Sequence, residues 1–152
     1  MDFGFIELSS YYVNLLIKNG IVVLKDENWA HQGGIGFDRY AVLGPPAELI
    51  VKNEISTSEW IVSVVMLPVD ALNEEGGRVD SPFLGKLAPH PLESIKGMSG
   101  GPIFGFKKYE DGSMKYWIVA IQSSWIKHEQ TIKGYKIPII AECINNYFSA
   151  LS

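Results

Sequence analysis

The sequence has 152 residues, a size typical of one globular domain, and it is 47% hydrophobic and 20% charged. This balance excludes disorder over most of the chain. The net charge of −4 argues against binding to a nucleic-acid backbone, and the single cysteine, Cys143, excludes a disulfide framework or a cysteine-rich zinc site.

The N-terminal quarter of the chain predicts a few short elements. Residues 3–8 are apolar and aromatic and predict a strand. Residues 9–19 carry apolar side chains near helical spacing, with serines at their start and Gly20 at their end, and they predict a helix. Residues 21–24 predict a second short strand. The glycine-rich residues 25–38 predict a loop.

The rest of the chain predicts a series of short strands and one helix. Strands are expected at residues 39–43, 48–51, 60–67, 102–107, 116–122 and 134–137. Pro82, Pro89 and Pro91 predict that their stretch is irregular or lies on a sheet edge. After Pro138, apolar residues recur on one helical face, which predicts a helix from about Ile139 to Leu151. This order favours an all-β barrel or sandwich with a terminal helix.

The segment Gly97-Met98-Ser99-Gly100-Gly101-Pro102 has the composition of a serine nucleophile on an open turn. A serine hydroxyl needs an unobstructed approach and a base, and the developing oxyanion needs two converging backbone N–H groups. The N–H groups of Gly97 and Ser99 are the candidates for this oxyanion hole. The two glycines after Ser99 keep side chains away from the attacking oxygen. A turn of this composition without chemistry is the alternative, because short motifs also occur by chance.

This motif resembles the nucleophile signature of the trypsin-like (chymotrypsin-fold) serine peptidases. Residues 117–124 are similar to the family's strand that lines the primary specificity pocket, and residues 134–137 are similar to its closing strand. Residues 40–45 are similar to an early strand of the second barrel in bacterial members. The resemblance implies an all-β fold, a chymotrypsin-like second β-barrel with a C-terminal helix and an incomplete first barrel. Residues 1–24 would be a remnant of the first barrel and linker, and residues 25–152 the C-terminal barrel.

The resemblance also implies roles for individual residues. Ser99 would be the nucleophile, and Asp2, which enters an apolar strand, would be the triad aspartate that orients a histidine. Ser123 would contact this aspartate, and Ser124 and its successors would present backbone groups to the substrate. Met98 stands where zymogen-activated members carry an aspartate, so activation through a new N-terminal amine is not expected.

Two further positions bear on the specificity that the resemblance implies. Ser94 stands where trypsin carries the aspartate at the floor of its pocket, and this neutral floor argues against selectivity for arginine or lysine. Trp125 falls near a position that usually holds glycine at the pocket mouth. Its ring could therefore narrow or close the pocket.

The triad histidine has no counterpart at the expected position. The family's chain order is histidine, aspartate, serine, and only Met1 precedes Asp2. The histidine and most of the first barrel are therefore expected upstream, so that the chain would be a fragment, the product of a mis-called start, or a degenerate relative. His31, His90 and His128 are expected to be exposed or structural, although the loop that holds His90 leads into the nucleophile turn.

Two functions remain open from the sequence. The first is a serine endopeptidase domain that hydrolyses peptides through an acyl-enzyme at Ser99 and is inactive as this isolated chain for lack of the histidine. The second is a degenerate peptidase-like domain that serves binding or assembly without catalysis. The DNA upstream of the Met1 codon would discriminate between them, because only the first function needs an in-frame histidine segment there.

Cofactors, partners and location can be predicted in part. No cofactor or metal is expected, because the glycines at residues 33–36 lack a strand–helix context and the acidic loop at residues 73–80 lacks calcium-ligand spacing. The expected partners are a peptide or protein substrate and either a second copy or the missing N-terminal barrel. Residues 3–8 are expected to be covered by one of these two partners or by the predicted helix at residues 9–19 folding back. Neither nucleic acid nor membrane is expected. The absence of a signal sequence predicts a cytoplasmic protein, unless the start of the chain is missing.

Overall fold

The computed structural model describes residues 6–21, 25–29, 36–52, 60–72 and 81–151. The helices and strands, in chain order, are α1 (Ser10–Lys18), β1 (Arg39–Gly44), β2 (Ile50–Lys52), β3 (Trp60–Val62), β4 (Val65–Ala71), β5 (Phe83–Leu87), β6 (Pro102–Lys108), β7 (Met114–Ile126), β8 (Thr131–Lys136) and α2 (Ile137–Leu151). Short 3₁₀ helices lie at Asp26–Asn28, Ala47–Leu49 and Lys127–Glu129. The fold is thus mostly β with a C-terminal helix.

Six strands close into an antiparallel barrel in the order β1, β4, β5, β8, β7, β6. Closure pairs every barrel strand on both sides, so the barrel exposes no edge. The long strand β7 is irregular at two places, opposite Ile103 and Phe104 of β6 and between Gln122 and Ser124 beside β8. The second irregularity leaves Ser123 as an extra residue in its ladder, which is the arrangement of a β-bulge.

Two layers of apolar side chains support the barrel. The interior holds Val42, Leu67, Val69, Phe83, Leu87, Ile95, Met98, Ile103, Val119, Ala120 and Ile132, all of them buried. A second layer lies under α2, where Ile137 and Ile140 pack with Phe104 and Ile118. Each fully buried side chain of this size contributes roughly 1.5–3 kcal/mol relative to an exposed one. The one-sided apolar pattern of the terminal helix is therefore explained, and α2 begins two residues earlier than the sequence predicts.

The prediction of an irregular or edge stretch around the prolines is wrong for residues 83–87. Strand β5 pairs with both β4 and β8 and lies within the closed barrel. Pro82 and Pro89 flank this strand and do not interrupt its ladder. The side chains alternate across the barrel wall, with Phe83 and Leu87 buried and Lys86 exposed. This alternation of buried and exposed side chains is typical of a half-buried strand. It indicates the structure of residues 83–87 better than the prolines on either side do.

The predicted single strand at residues 60–67 is wrong, because two strands occupy this stretch. The short β3 pairs with β2 in a separate two-stranded sheet, and β4 enters the barrel. The two-stranded sheet is apolar but exposed, since Trp60, Ile61 and Val62 are all more than half exposed. A two-stranded sheet of this kind is marginal in water without packing on a third element.

The N-terminal helix is confirmed, but the strand before it is not. α1 begins after Ser9, which makes no side-chain cap hydrogen bond, and Gly20 follows it with a φ of +74°. Residues 6–8 form no strand, and Ile6 is 86% exposed, so α1 does not fold back over it. A strand needs a neighbour for its backbone hydrogen bonds. Asp2, Phe3 and Phe5 lie outside the described residues, as do residues 22–24 of the second predicted strand.

None of the helices in the described ranges has the length and apolarity that crossing a membrane requires.

Candidate functional site: the Ser99 turn

Ser99 lies exposed on a turn just before β6, as the surrounding glycines predict. Gly97 has a φ of +98° and Gly100 a φ of +88°. Residues with side chains rarely adopt this left-handed region, so glycine at both positions allows the chain to reverse around Ser99. A Cβ at Gly97 would lie 3.0 Å from Ala47 N, whereas one at Gly100 would meet open space. The turn thus packs closely against residues 45–47 at Gly97, whereas Gly100 borders free space.

Packing fixes the turn to the end of β1. Met98 is fully buried in the barrel core and lies against Gly44, where an added Cβ would come within 3.1 Å of the Met98 side chain. A Cβ at Gly101 would overlap the carbonyl oxygen of Leu43 and lie 2.8 Å from that of Met98. Close backbone approach is the reason for glycine at both Gly44 and Gly101. The residues on either side of Ser99 therefore have little freedom to move.

Hydrogen bonds engage the amides around Ser99 but not all of them. Met98 N–H donates to Ile95 O (3.1 Å), Gly100 N–H to Gln122 O (2.8 Å) and Gly101 N–H to Met98 O (2.9 Å). The N–H groups of Gly97 and Ser99 donate no hydrogen bond to any residue that the structure describes. These are the two amides that the sequence assigns to an oxyanion hole. Both remain available as donors to a ligand.

The turn is also joined to β7 at one residue that the sequence analysis does not single out. Gln122 accepts the hydrogen bond from Gly100 through its carbonyl and donates its N–H to Gly101 O at 2.9 Å. Its side chain is only 2% exposed, and its Oε1 has no hydrogen-bond partner within the described ranges. A polar residue that ends the apolar run of residues 117–121 is the signal that could have pointed to Gln122.

Neither described histidine contacts Ser99. His90 Nε2 lies 3.3 Å from Gln130 Oε1, and Gln130 Nε2 donates to Lys127 O at 3.0 Å. Because this second bond orients the amide, Oε1 is the acceptor of the contact with His90. The buried Nδ1 of His90 has no partner among the described residues. His128 lies 3.3 Å from Glu129 with its side chain 79% exposed, and His31 lies outside the described residues.

Two of the four predicted substrate-binding residues, Ser123 and Ser124, line a pocket. Its volume is about 330 Å³, and it is lined by Pro82, Ser123, Ser124, Lys133, Gly134, Tyr135 and Ile139. The Oγ of Ser123, at the bulge of β7, donates to Lys133 O at 3.3 Å. The structure thus brings Ser123 and Ser124 together with β8 and the start of α2. Ser123 is also the residue next to Gln122, whose backbone is hydrogen-bonded to the Ser99 turn.

Ser94 and Trp125 do not line this pocket. Ser94 lies in the loop before the turn, where its Oγ accepts Lys96 N–H at 3.1 Å and its own N–H donates to Glu48 Oε2 at 2.9 Å. Trp125 is half-buried against the barrel core, and its buried Nε1 has no partner within the described ranges. Glu48 also accepts the N–H of Glu93 at 3.2 Å, and it thereby fixes the loop that leads to Ser99. The sequence offers no signal for this contact, because Glu48 lies 46 positions from Ser94.

Other kinds of site find little support. The described residues contain no group of three or more histidine, cysteine, aspartate or glutamate side chains placed to hold a metal ion. Cys143 is half-buried on α2. Asp2, the predicted triad aspartate, lies outside the described residues. The chain matches no family model, no curated protein and no solved structure.

Proposed function

We propose that this chain is a serine-hydrolase domain of the chymotrypsin-like peptidase type, in which Ser99 attacks the carbonyl carbon of a peptide bond. The observation that carries the proposal is the exposed Ser99 turn, in which the amides of Gly97 and Ser99 are uncommitted while the amides around them are engaged. The closed six-stranded barrel with its C-terminal helix is consistent with this type of fold.

The proposed chemistry assigns a role to each part of the turn. Ser99 Oγ forms a bond to the carbonyl carbon, and the negative charge on the carbonyl oxygen is stabilised by the N–H groups of Gly97 and Ser99. Collapse of this intermediate breaks the C–N bond, the amine takes a proton from water as it leaves, and a second water hydrolyses the acyl-enzyme and releases Ser99. One preorganised oxyanion-hole donor contributes on the order of 10²–10³ in rate.

The proton of Ser99 needs an acceptor that the described residues do not supply. His90 is bonded to Gln130, and His128 lies beside Glu129. A positioned general base contributes on the order of 10²–10⁴ in rate. We therefore expect weak turnover by this chain at neutral pH, with hydroxide acting as the base at higher pH.

The test is hydrolysis of an activated ester and of a mixed peptide library by the full chain. Ester turnover should rise about tenfold per pH unit above neutrality, and added imidazole should increase it by replacing the missing base. Hydroxide and imidazole also hydrolyse the ester directly, so the rate without protein is subtracted. Both remaining effects should vanish in Ser99→Ala and persist in Ser63→Ala, which removes an exposed hydroxyl outside the site. Equal turnover by the unsubstituted chain and the Ser99→Ala variant would exclude the proposal.

The alternative is a peptidase-like binding domain without catalysis. The observation that favours it is the absence of a contact between Ser99 and either described histidine. The exposed apolar sheet of β2 and β3 would then be a candidate contact surface. This alternative predicts no Ser99-dependent turnover at any pH or imidazole concentration.

A further inference from the structure

The lining of the pocket beside the bulge of β7 is mostly apolar and includes a few residues that carry hydrogen-bond donors. Ser123, Ser124 and Tyr135 bring hydroxyl groups to it and Lys133 brings an ammonium group, while none of the residues that line it carries a carboxylate. Its volume of about 330 Å³ is at the lower end of small-ligand sites, which typically run from roughly 300 to 1,000 Å³. A pocket of this size suits one side chain or one chain terminus.

Two of these donors are uncommitted. Lys133 Nζ and Ser124 Oγ make no hydrogen bond or ion pair with any residue of the described ranges. Glu142 lies three residues beyond Ile139 on α2, but it forms no ion pair with Lys133. An ammonium group and a hydroxyl at one concave site are donors that match the acceptor oxygens of a carboxylate.

The positive charge at the pocket comes from Lys133, in a chain whose net charge is −4. Local charge of one sign in a cleft raises the local concentration of the opposite ion.

We propose that this pocket binds a carboxylate group of the peptide substrate, either an acidic side chain or the free C-terminus. The inference rests on the proposed function, because it takes the bound group to be part of the peptide that Ser99 cleaves. Ser123 of the pocket directly follows Gln122, whose carbonyl accepts the N–H of Gly100 in the nucleophile turn. The pocket would thus select which peptide bond reaches the serine.

The experiment measures peptide binding by the full chain carrying Ser99→Ala, so that no probe is consumed. Two pairs of probes separate the two sources of carboxylate. The first pair is acetyl-Ala-Ala-Glu-amide and acetyl-Ala-Ala-Gln-amide, and the second is acetyl-Ala-Ala-Ala with a free C-terminus and its amide. An exposed ion pair is worth up to about fivefold in affinity. We expect a preference of about this size for the charged member of one pair, and the preference should weaken with added salt.

The matched variants identify the residues responsible. Lys133→Gln should abolish the preference, and Ser124→Ala should reduce it. Lys86→Gln, which removes an exposed lysine of β5 that does not line the pocket, should leave the preference unchanged. Equal binding of charged and neutral probes would overturn the inference, as would a loss in Lys86→Gln equal to that in Lys133→Gln.

The outcome is distinguishable from that of the proposed function. Carboxylate binding without any Ser99-dependent turnover would support the carboxylate site and exclude the proposed hydrolase function. Ser99-dependent turnover with no carboxylate preference would support the hydrolase function and exclude the carboxylate site.

Discussion

The substitution Met98→Ala tests whether the Ser99 turn is anchored in the barrel core. Met98 has no exposed surface and belongs to the interior cluster. The change removes Cγ, Sδ and Cε, and at about 0.8 kcal/mol for each methylene-sized group the lost transfer free energy is roughly 2.4 kcal/mol. The cavity adds to this, so the free energy of unfolding should fall by about 2.5–5 kcal/mol.

Urea unfolding of Met98→Ala, followed by tryptophan fluorescence, measures this loss. Met98→Leu is the matched control, because it nearly conserves the volume and should cost less than about 1.5 kcal/mol. Since Ser99 follows Met98 directly, Ser99-dependent ester turnover should also fall in the alanine variant under conditions where it remains folded. A decrease of less than about 1 kcal/mol in the free energy of unfolding of Met98→Ala would refute the anchoring, because removal of a side chain packed on all sides costs more than this.

Three further predictions concern other features of the chain. Gly101→Ala should lower the free energy of unfolding by more than about 2 kcal/mol, because the new Cβ would overlap backbone oxygens. Gly100→Ala should lower it by about 1–2 kcal/mol, because its Cβ meets open space and only the left-handed φ is unfavourable. Urea unfolding measures both changes. Gln122→Met should raise the free energy of unfolding by about 1 kcal/mol by removing an unpartnered buried oxygen, and a loss above 1 kcal/mol would contradict this. Hydrogen bonds from the Ser113 hydroxyl, and then from its N–H, hold the pKa of the Asp111 carboxyl below its ordinary value, so Ser113→Ala should raise this pKa in an NMR titration. The stabilisation from this lowered pKa is present at neutral pH and is lost as the pH falls through the ordinary range of aspartate, and an unchanged pKa in Ser113→Ala would exclude the cause.

Periodic patterns account for the elements that the sequence predicts well. The terminal helix and the strands β1 and β6 follow from the spacing of their apolar residues. The sequence does not predict strand β5 although its alternation is regular, because the flanking prolines indicate irregular or edge structure. Gly85 lies within this strand. The structure shows that its place is filled by Val69 and Phe83, so that a Cβ there would overlap their side chains.

The candidate site divides in the same way between local and distant causes. The Ser99 turn is predictable because its glycines serve the conformation of the turn itself, and both left-handed residues lie within it. The contacts of Glu48 and Gln122 with the same segment join residues far apart in sequence. No pattern along the chain encodes such contacts, since they exist only once the barrel has closed. The bulge at Ser123 belongs to this second group, because a bulge is defined by its partner strand.

The geometry of β7 links the turn and the pocket physically. Gln122 holds the turn through two backbone hydrogen bonds, and the next residue, Ser123, is displaced from the ladder and lines the pocket. A ligand that contacts Ser123 therefore binds one residue away from the Gln122 carbonyl, which accepts the N–H of Gly100. Because the turn is also fixed by the buried Met98, the proposed nucleophile Ser99 would be preorganised when such a ligand binds. Preorganisation of this kind is effective only while the barrel core is intact. Variants that loosen the core should thus lower Ser99-dependent turnover before they unfold the chain.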